Sequence, residues 1–185
     1  MKIDFEPVFI RLNEELNKCN TFMHIICAGG YVMQLHGHRG TMDIDAFFQS
    51  NAEIERIIEK VGDEFKINSP NELWLNNSIS NMNPLPPIEH RELIYKFSNL
   101  TVEVVSVTYL IGMKLYSGRT EDLKDVAGIL KSDDITGPFK LMKQLTVMGF
   151  HIDISDLLDT FGAAHGFDWL QQFYIDNQNE LQKYF

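Results

Sequence analysis

Ala28-Gly-Gly-Tyr-Val-Met-Gln-Leu-His-Gly-His-Arg-Gly-Thr-Met-Asp-Ile-Asp45 decides how the rest of the chain is read, because it joins a glycine turn to a pair of carboxylates. On its amino-terminal side, His24-Ile-Ile-Cys-Ala28 is an apolar run of strand length that Gly29-Gly30 ends. Residues 31 to 36 read as a short helix closed by Gly37, Arg39-Gly-Thr-Met42 as a turn, and Asp43-Ile-Asp-Ala-Phe-Phe-Gln49 as a second strand. Alternation along a strand sends Asp43 and Asp45 to one face. Two acids at that separation suit a hard divalent cation, since Mg²⁺ is usually held by one or two carboxylates and completes its shell with water and substrate phosphates. The amides of Gly29 and Gly30, with no side chains in the way, are placed to meet phosphate oxygens. Cation and turn together point to a nucleoside triphosphate site. An Asp-x-Asp alone is most often a solvated edge; here the acids open an apolar strand, where carboxylates are costly without solvent or a partner.

Outward from this stretch, Val8, Phe9, Leu12 and Leu16 fall at helical spacing and predict an amphipathic helix over residues 6 to 18. Ser50 and Glu53 form a capping box for a helix whose inner stripe is Ile54, Ile57, Ile58 and Val61. Residues 66 to 90, with Asn-rich runs and Pro84, Pro86 and Pro87, predict a long surface loop containing a short helix, and no chemistry is placed there. Glu92 to Phe97 and Leu100 to Val107 alternate about Ser98-Asn99 like a hairpin. Tyr109 to Tyr116 and Thr120 to Leu130 read as helices, the second with the stripe Leu123, Val126, Ala127 and Leu130 facing inward and Asp122 and Asp125 on another face. From Ile135 the pattern is helical again, interrupted near Gly149 and Gly162 to Gly166. Two parts are expected: residues 1–132, and a helical extension over 133–185 packed on the same core.

With 185 residues, 44% hydrophobic and 23% charged, the composition excludes a disordered or fibrous protein. No apolar run approaches the roughly 20 residues of a membrane span, and the first residues lack a signal core, so a cytoplasmic protein is expected. A formal net charge of −10 argues against a broad basic face for nucleic acid. Residues 110–145, with 6 basic and 5 acidic side chains, are the local exception. Cys19 and Cys27 form no ligand pattern and read as reduced packing residues. His36 and His38 flank Gly37, but no Cys or third His nearby completes a transition-metal site, so they read as a loop near the pocket.

Further candidates lie downstream. Glu103, within Leu100-Thr-Val-Glu-Val-Val-Ser-Val107, has two readings: a third carboxylate for metal-assisted phosphoryl transfer, if its strand pairs beside that of Asp43, or a solvent-facing acid on a half-exposed strand. Lys114 sits in the apolar run Leu110-Ile-Gly-Met-Lys-Leu-Tyr116, where a point charge could meet a triphosphate or offset the carboxylates. Arg119-Thr-Glu-Asp122, with Asp125, reads locally as a helix start carrying an Arg119 to Asp122 pair and first-turn acids.

Taken together, Gly29-Gly30, Arg39-x-Thr41-x-Asp43-x-Asp45, Glu103 and Lys114…Arg119-x-x-Asp122-x-x-Asp125 resemble the nucleotidyltransferase-like superfamily with the DNA polymerase beta type of catalytic fold, and more closely its bacterial branch related to AbiEii-type abortive-infection toxins. The match runs in order over residues 25 to 130. It implies an α+β fold, a small mixed sheet with packed helices and a helical C-terminal region. It also implies Mg²⁺ or Mn²⁺ on Asp43 and Asp45, with Glu103 as third ligand and proton acceptor. A triphosphate would be contacted by Gly29, Gly30, Arg39, Thr41, Lys114 and Arg119, with Asp122 or Asp125 as the late acidic motif. The expected reaction moves a nucleoside monophosphate from a nucleoside triphosphate to a hydroxyl of an RNA end or a protein. Toxin relatives often act with a protein partner. A catalytically inactive nucleotide-binding or toxin-antitoxin-type regulator is the alternative. Two departures stand out: where the family's turn is often Gly-Ser, this chain has Gly30, and one hydroxyl is missing; and the third carboxylate is a glutamate, Glu103.

Overall fold

Pro7, which a helix tolerates in its first turn, stands at the start of α1 (Glu6–Lys18), and Val8, Phe9, Leu12 and Leu16 form its buried stripe. In this computed structural model, described over residues 2–81, 83–133 and 135–184, the chain divides into two compact units, residues 1–106 and 107–185. The helices at 107–117 and 120–132, expected in the first part, therefore group with those that follow.

The first unit is built on a five-stranded mixed sheet. Its strands are β1 (Met23–Cys27), β2 (Ile44–Phe47), β3 (Leu75–Asn76), β4 (Arg91–Lys96) and β5 (Leu100–Val105), in the order β3-β2-β1-β5-β4. β1 runs antiparallel to β2 and parallel to β5, while β2 and β3 are parallel and β4 and β5 form the expected hairpin. The register aligns Phe47, Ile26 and Glu103 across three strands, so these share one face with Asp45, His24 and Thr101. The other face, carrying Ile25, Cys27, Ile44, Ala46, Val102 and Val104, is fully buried. Its core is completed by α1 and by the Ile54, Ile57, Ile58 and Val61 stripe of α3 (Ala52–Phe65), which packs against α1. The face bearing the acids is the one left partly open.

Three local expectations are corrected. The cap of α3 is Asn51, whose side chain accepts from the N–H groups of Glu53 and Ile54; Ser50 instead hydrogen-bonds Glu55. Cys27 is buried, but Cys19 is exposed. The loop expected over 66–90 does hold short helical turns at Ser78–Asn81 and Ile88–His90, but it also contributes β3, and the reason is Trp74. Its indole N–H reaches the Ile58 carbonyl at 2.9 Å and its own carbonyl accepts the Ile44 N–H at 2.6 Å, which lays the following two residues along β2.

α1 and α3 are also joined by charge. Glu15, 5% exposed, lies 2.6 Å from Arg11, 2.6 Å from Lys18 and 2.8 Å from Lys60. Hydrogen bonds from Lys18 and Lys60 outweigh burial and, with Arg11, hold its carboxyl down at about 2. A depressed carboxylate contributes stability that is present above its unfolded value near 4.3 and lost as pH falls through its folded value. Glu15→Gln is expected to cost about 1–2 kcal/mol at pH 7, discounted because the lysines are solvent-screened, and only a small part of that near pH 2, where the folded carboxyl is itself half protonated; denaturant titrations at the two pH values check this.

The second unit is helical: α4 (Val107–Ser117), α5 (Thr120–Ser132), α6 (Pro138–Val147), α7 (Ile154–His165), α8 (Phe167–Asp176) and α9 (Gln178–Leu181). Leu110, Ile111, Val126, Ile129, Leu130, Leu145, Leu157 and Phe161 form its core. Among the described residues, no helix is long and apolar enough to cross a membrane. An α+β chain with a small mixed sheet and a helical C-terminal region is what the sequence predicts.

Candidate active site

β1 ends at Cys27 and turns through Gly29, whose φ of +58° lies in the region that favours glycine, into α2 (Gly29–Leu35). The Ala28 N–H donates to the Asp45 carbonyl at 2.8 Å, so the last β1–β2 pairing brings the turn beside the acids. A Cβ added to Gly29 would stand 2.8 Å from Asp45 Oδ2. The carboxylate is thus seated directly on the glycine turn.

Asp43 is placed differently from the expectation. It lies in the bend just ahead of β2, and strand alternation alone does not orient it. Thr41 does so instead, donating its hydroxyl to Asp43 Oδ1 at 2.8 Å. The Thr41 N–H donates to Gln34 Oε1 at 3.1 Å, and Gln34 Nε2 donates to the Ile3 carbonyl at 2.7 Å. Thr41 also crowds Gly30, where an added Cβ would lie 2.5 Å from its Oγ1. Arg39 is exposed, with Nη1 3.5 Å from that same Cβ position. Gly29, Gly30, Arg39, Thr41, Asp43 and Asp45 therefore form one constellation.

Glu103 does not join it. The register sets it two strands and two residues away from Asp45, roughly 12 Å at ordinary sheet spacings. Its Oε2 lies 2.9 Å from His24 Nε2 and 3.7 Å from Arg91 Nη1, so the acid is grouped with these two side chains and not with Asp43 and Asp45. Among the described residues, no group of three or more His, Cys, Asp or Glu could hold a metal. Two carboxylates still fit a cation that takes the rest of its shell from water and phosphates.

What sequence reasoning missed is the neighbour that β3 supplies. Asn76 pairs in register with Asp45. Its Oδ1 accepts from the N–H and hydroxyl of Ser78 at 3.2 and 2.6 Å, which fixes the amide orientation, and its buried Nδ2 has no partner among the described residues. Further along the same face opens a cleft of about 760 Å³ over Ile26 and Phe47, bordered by Asn51, Asn83, Arg91 and Thr101 and, among the described residues, by no acidic one. A two-residue strand carries no periodicity, and only the bulk of Trp74 hinted at it.

The remaining predicted residues form a second constellation within the helical unit. Lys114, 6% exposed, places its ammonium 2.6 Å from Asp122 Oδ1 and 2.8 Å from Asp125 Oδ2. Arg119 Nε lies 2.8 Å from Asp122 Oδ2, confirming the local pair, and Ser117 also hydrogen-bonds Asp122. Burial pushes the Asp122 carboxyl up, but bonds from Lys114 and Ser117 and the nearby cations prevail and hold it below the ordinary carboxylate range.

A family model described as a nucleotidyltransferase of unknown function (DUF6036) matches residues 6–146, well over half of the chain. The chain belongs to this family. No curated protein and no solved structure matches it significantly. In this DUF6036 protein the matched span takes in the glycine turn, the acid pair and the Lys114 cluster, so the α+β architecture and the nucleotidyltransferase affiliation agree.

Proposed function

We propose that this protein transfers a nucleoside monophosphate from a nucleoside triphosphate to a hydroxyl group with Mg²⁺ or Mn²⁺, in the manner of the AbiEii-related branch, acting in the cytoplasm. The observation that carries the reading is the Asp45 carboxylate resting on the Gly29 turn, which sets a cation-binding oxygen beside side-chain-free backbone. Asp43 and Asp45 hold the cation, which supplies charge neutralisation at the phosphates. Gly29 and Gly30 allow the triphosphate close approach, and Arg39 adds positive charge beside them. The acceptor oxygen forms the new bond to the α-phosphorus, the α–β bridging bond breaks, pyrophosphate leaves and the acceptor proton passes to solvent. An RNA end or a protein side chain is the acceptor class, and a cognate protein partner is part of the same proposal.

Thermal unfolding with each of the four nucleoside triphosphates plus Mg²⁺ tests the site without knowledge of the acceptor. A ligand at about 100 times its dissociation constant adds about 2.7 kcal/mol, or about 5–10 °C for a chain of this size. That rise is expected for the wild type and absent from Asp45→Asn. No rise with any nucleotide would overturn the reading. The distance of Glu103 from the acid pair favours one second reading, a protein that binds nucleotide without transferring it. Saturable binding with no pyrophosphate release against RNA and protein acceptors would decide for it.

A further inference from the structure

Thr41 and Gln34 are buried polar residues in a protein whose acid pair stands at the surface: Thr41 is 7% and Gln34 6% exposed, while Asp43 and Asp45 are partly open. Buried polar groups are retained where their bonds are complete, and these are. Gln34 uses both ends of its amide, Nε2 on the Ile3 carbonyl and Oε1 on the Thr41 N–H, so its orientation is settled by a backbone donor at one end and a backbone acceptor at the other. Thr41 is wedged against α2, its Cβ 2.8 Å from where a side chain on residue 30 would begin, which leaves it little freedom to change rotamer. From that clamped position its hydroxyl meets Asp43 Oδ1 at 2.8 Å and the Asp43 carbonyl at 3.1 Å.

We propose that Gln34 and Thr41 form a buried relay that positions the Asp43 carboxylate, and that the affinity of the acid pair for a divalent cation depends on the Thr41 hydroxyl. The inference rests on the cation-site reading above. Asp43 precedes β2 and has no strand pairing of its own to hold it, so the relay does for Asp43 what the β1 pairing and the glycine turn do for Asp45. With one lone pair of Oδ1 taken by the hydroxyl, Oδ2 is the less encumbered oxygen for a cation. Thr41 is thereby a positioning residue and not a triphosphate contact, which differs from the role its sequence pattern implies. Partners of this kind, which orient a ligand without touching the metal, typically change metal affinity by about 10–100-fold when removed.

The test is titration of the full chain with Mn²⁺ alone, followed by the loss of free Mn²⁺ signal in electron paramagnetic resonance. Thr41→Val keeps the shape and removes the hydroxyl; about tenfold weaker Mn²⁺ binding is expected, with thermal stability close to wild type. Thr41→Ser keeps the hydroxyl and is expected to bind within about twofold of wild type. Gln34→Met, which unfastens the relay one step further back, is expected to weaken binding less than Thr41→Val, and it serves if the valine variant folds poorly. Wild-type affinity in Thr41→Val, or equal loss in the serine and valine variants, would overturn the relay. Absence of Mn²⁺ binding by the wild type itself would instead overturn the cation site on which it rests.

Discussion

Replacing Lys114 with methionine is expected to lower the free energy of unfolding by about 3–5 kcal/mol, measured as a fall in the urea midpoint at pH 7. The size of the effect comes from what the lysine leaves behind. Its ammonium lies between Asp122 and Asp125, whose side chains are only 11% and 14% exposed, and methionine would take the buried cation away from two carboxylates that water barely reaches. Arg119 remains on Asp122 but is itself 70% exposed, so its compensation is weak. The pH dependence has a definite sign. In the wild type the Asp122 carboxyl is held below its ordinary range, so its contribution is present above the unfolded value near 3.9 and is lost as pH falls. In Lys114→Met burial goes unopposed by the ammonium, and protonation relieves the penalty. The gap between the two proteins should therefore narrow as pH drops toward about 4. The triple variant Lys114→Met, Asp122→Asn, Asp125→Asn removes the whole cluster and is expected to recover most of the loss, because a missing buried network costs far less than a broken one.

The second large effect belongs to the glycine turn. Gly29→Ala combines a φ of +58°, which costs an L-residue about 1–2 kcal/mol, with a Cβ placed 2.8 Å from Asp45 Oδ2. Gly30→Ser meets Thr41 Oγ1 at 2.5 Å and Thr41 Cβ at 2.8 Å, a collision with a buried side chain and not with a flexible tip. Each is expected to destabilise by about 2–3 kcal/mol in denaturant titrations. Their functional signatures should differ. Gly29→Ala displaces Asp45, whereas Gly30→Ser drives Thr41 away from Asp43, so the serine that restores the familiar turn is expected to weaken Mn²⁺ binding.

How much of this was legible in the sequence depended on whether a residue's role was local. The glycine turn and Asp45 could be read because both sit at the junction of two elements whose periods are plain, and the Arg119 to Asp122 pair because it spans one helical turn. Lys114 was recognisable as a charge in an apolar helix, but its partners lie one element away, and no spacing rule announces that an ammonium will meet two carboxylates there. Glu103 failed for a related reason. Its strand has the right composition and the right face, yet only sheet order decides that β1 stands between β5 and β2, and order is a property of the assembled unit. Asn76 depended on a strand two residues long, below any detectable alternation. Gln34 was invisible because a glutamine on a short helix is ordinary until both ends of its amide are found to be occupied.

The contact between Gly30 and Thr41 also makes a statement about chains other than this one. If the side chain at position 41 fills the space that a residue at position 30 would need, the two positions cannot vary independently. Relatives with glycine at the position of Gly30 are expected to carry a branched residue at that of Thr41. Those with serine in the turn should have glycine, alanine or serine there. The two positions would then exchange volume, with the hydroxyl residing on one side of the gap or the other, and an alignment of the family would show them changing as a pair.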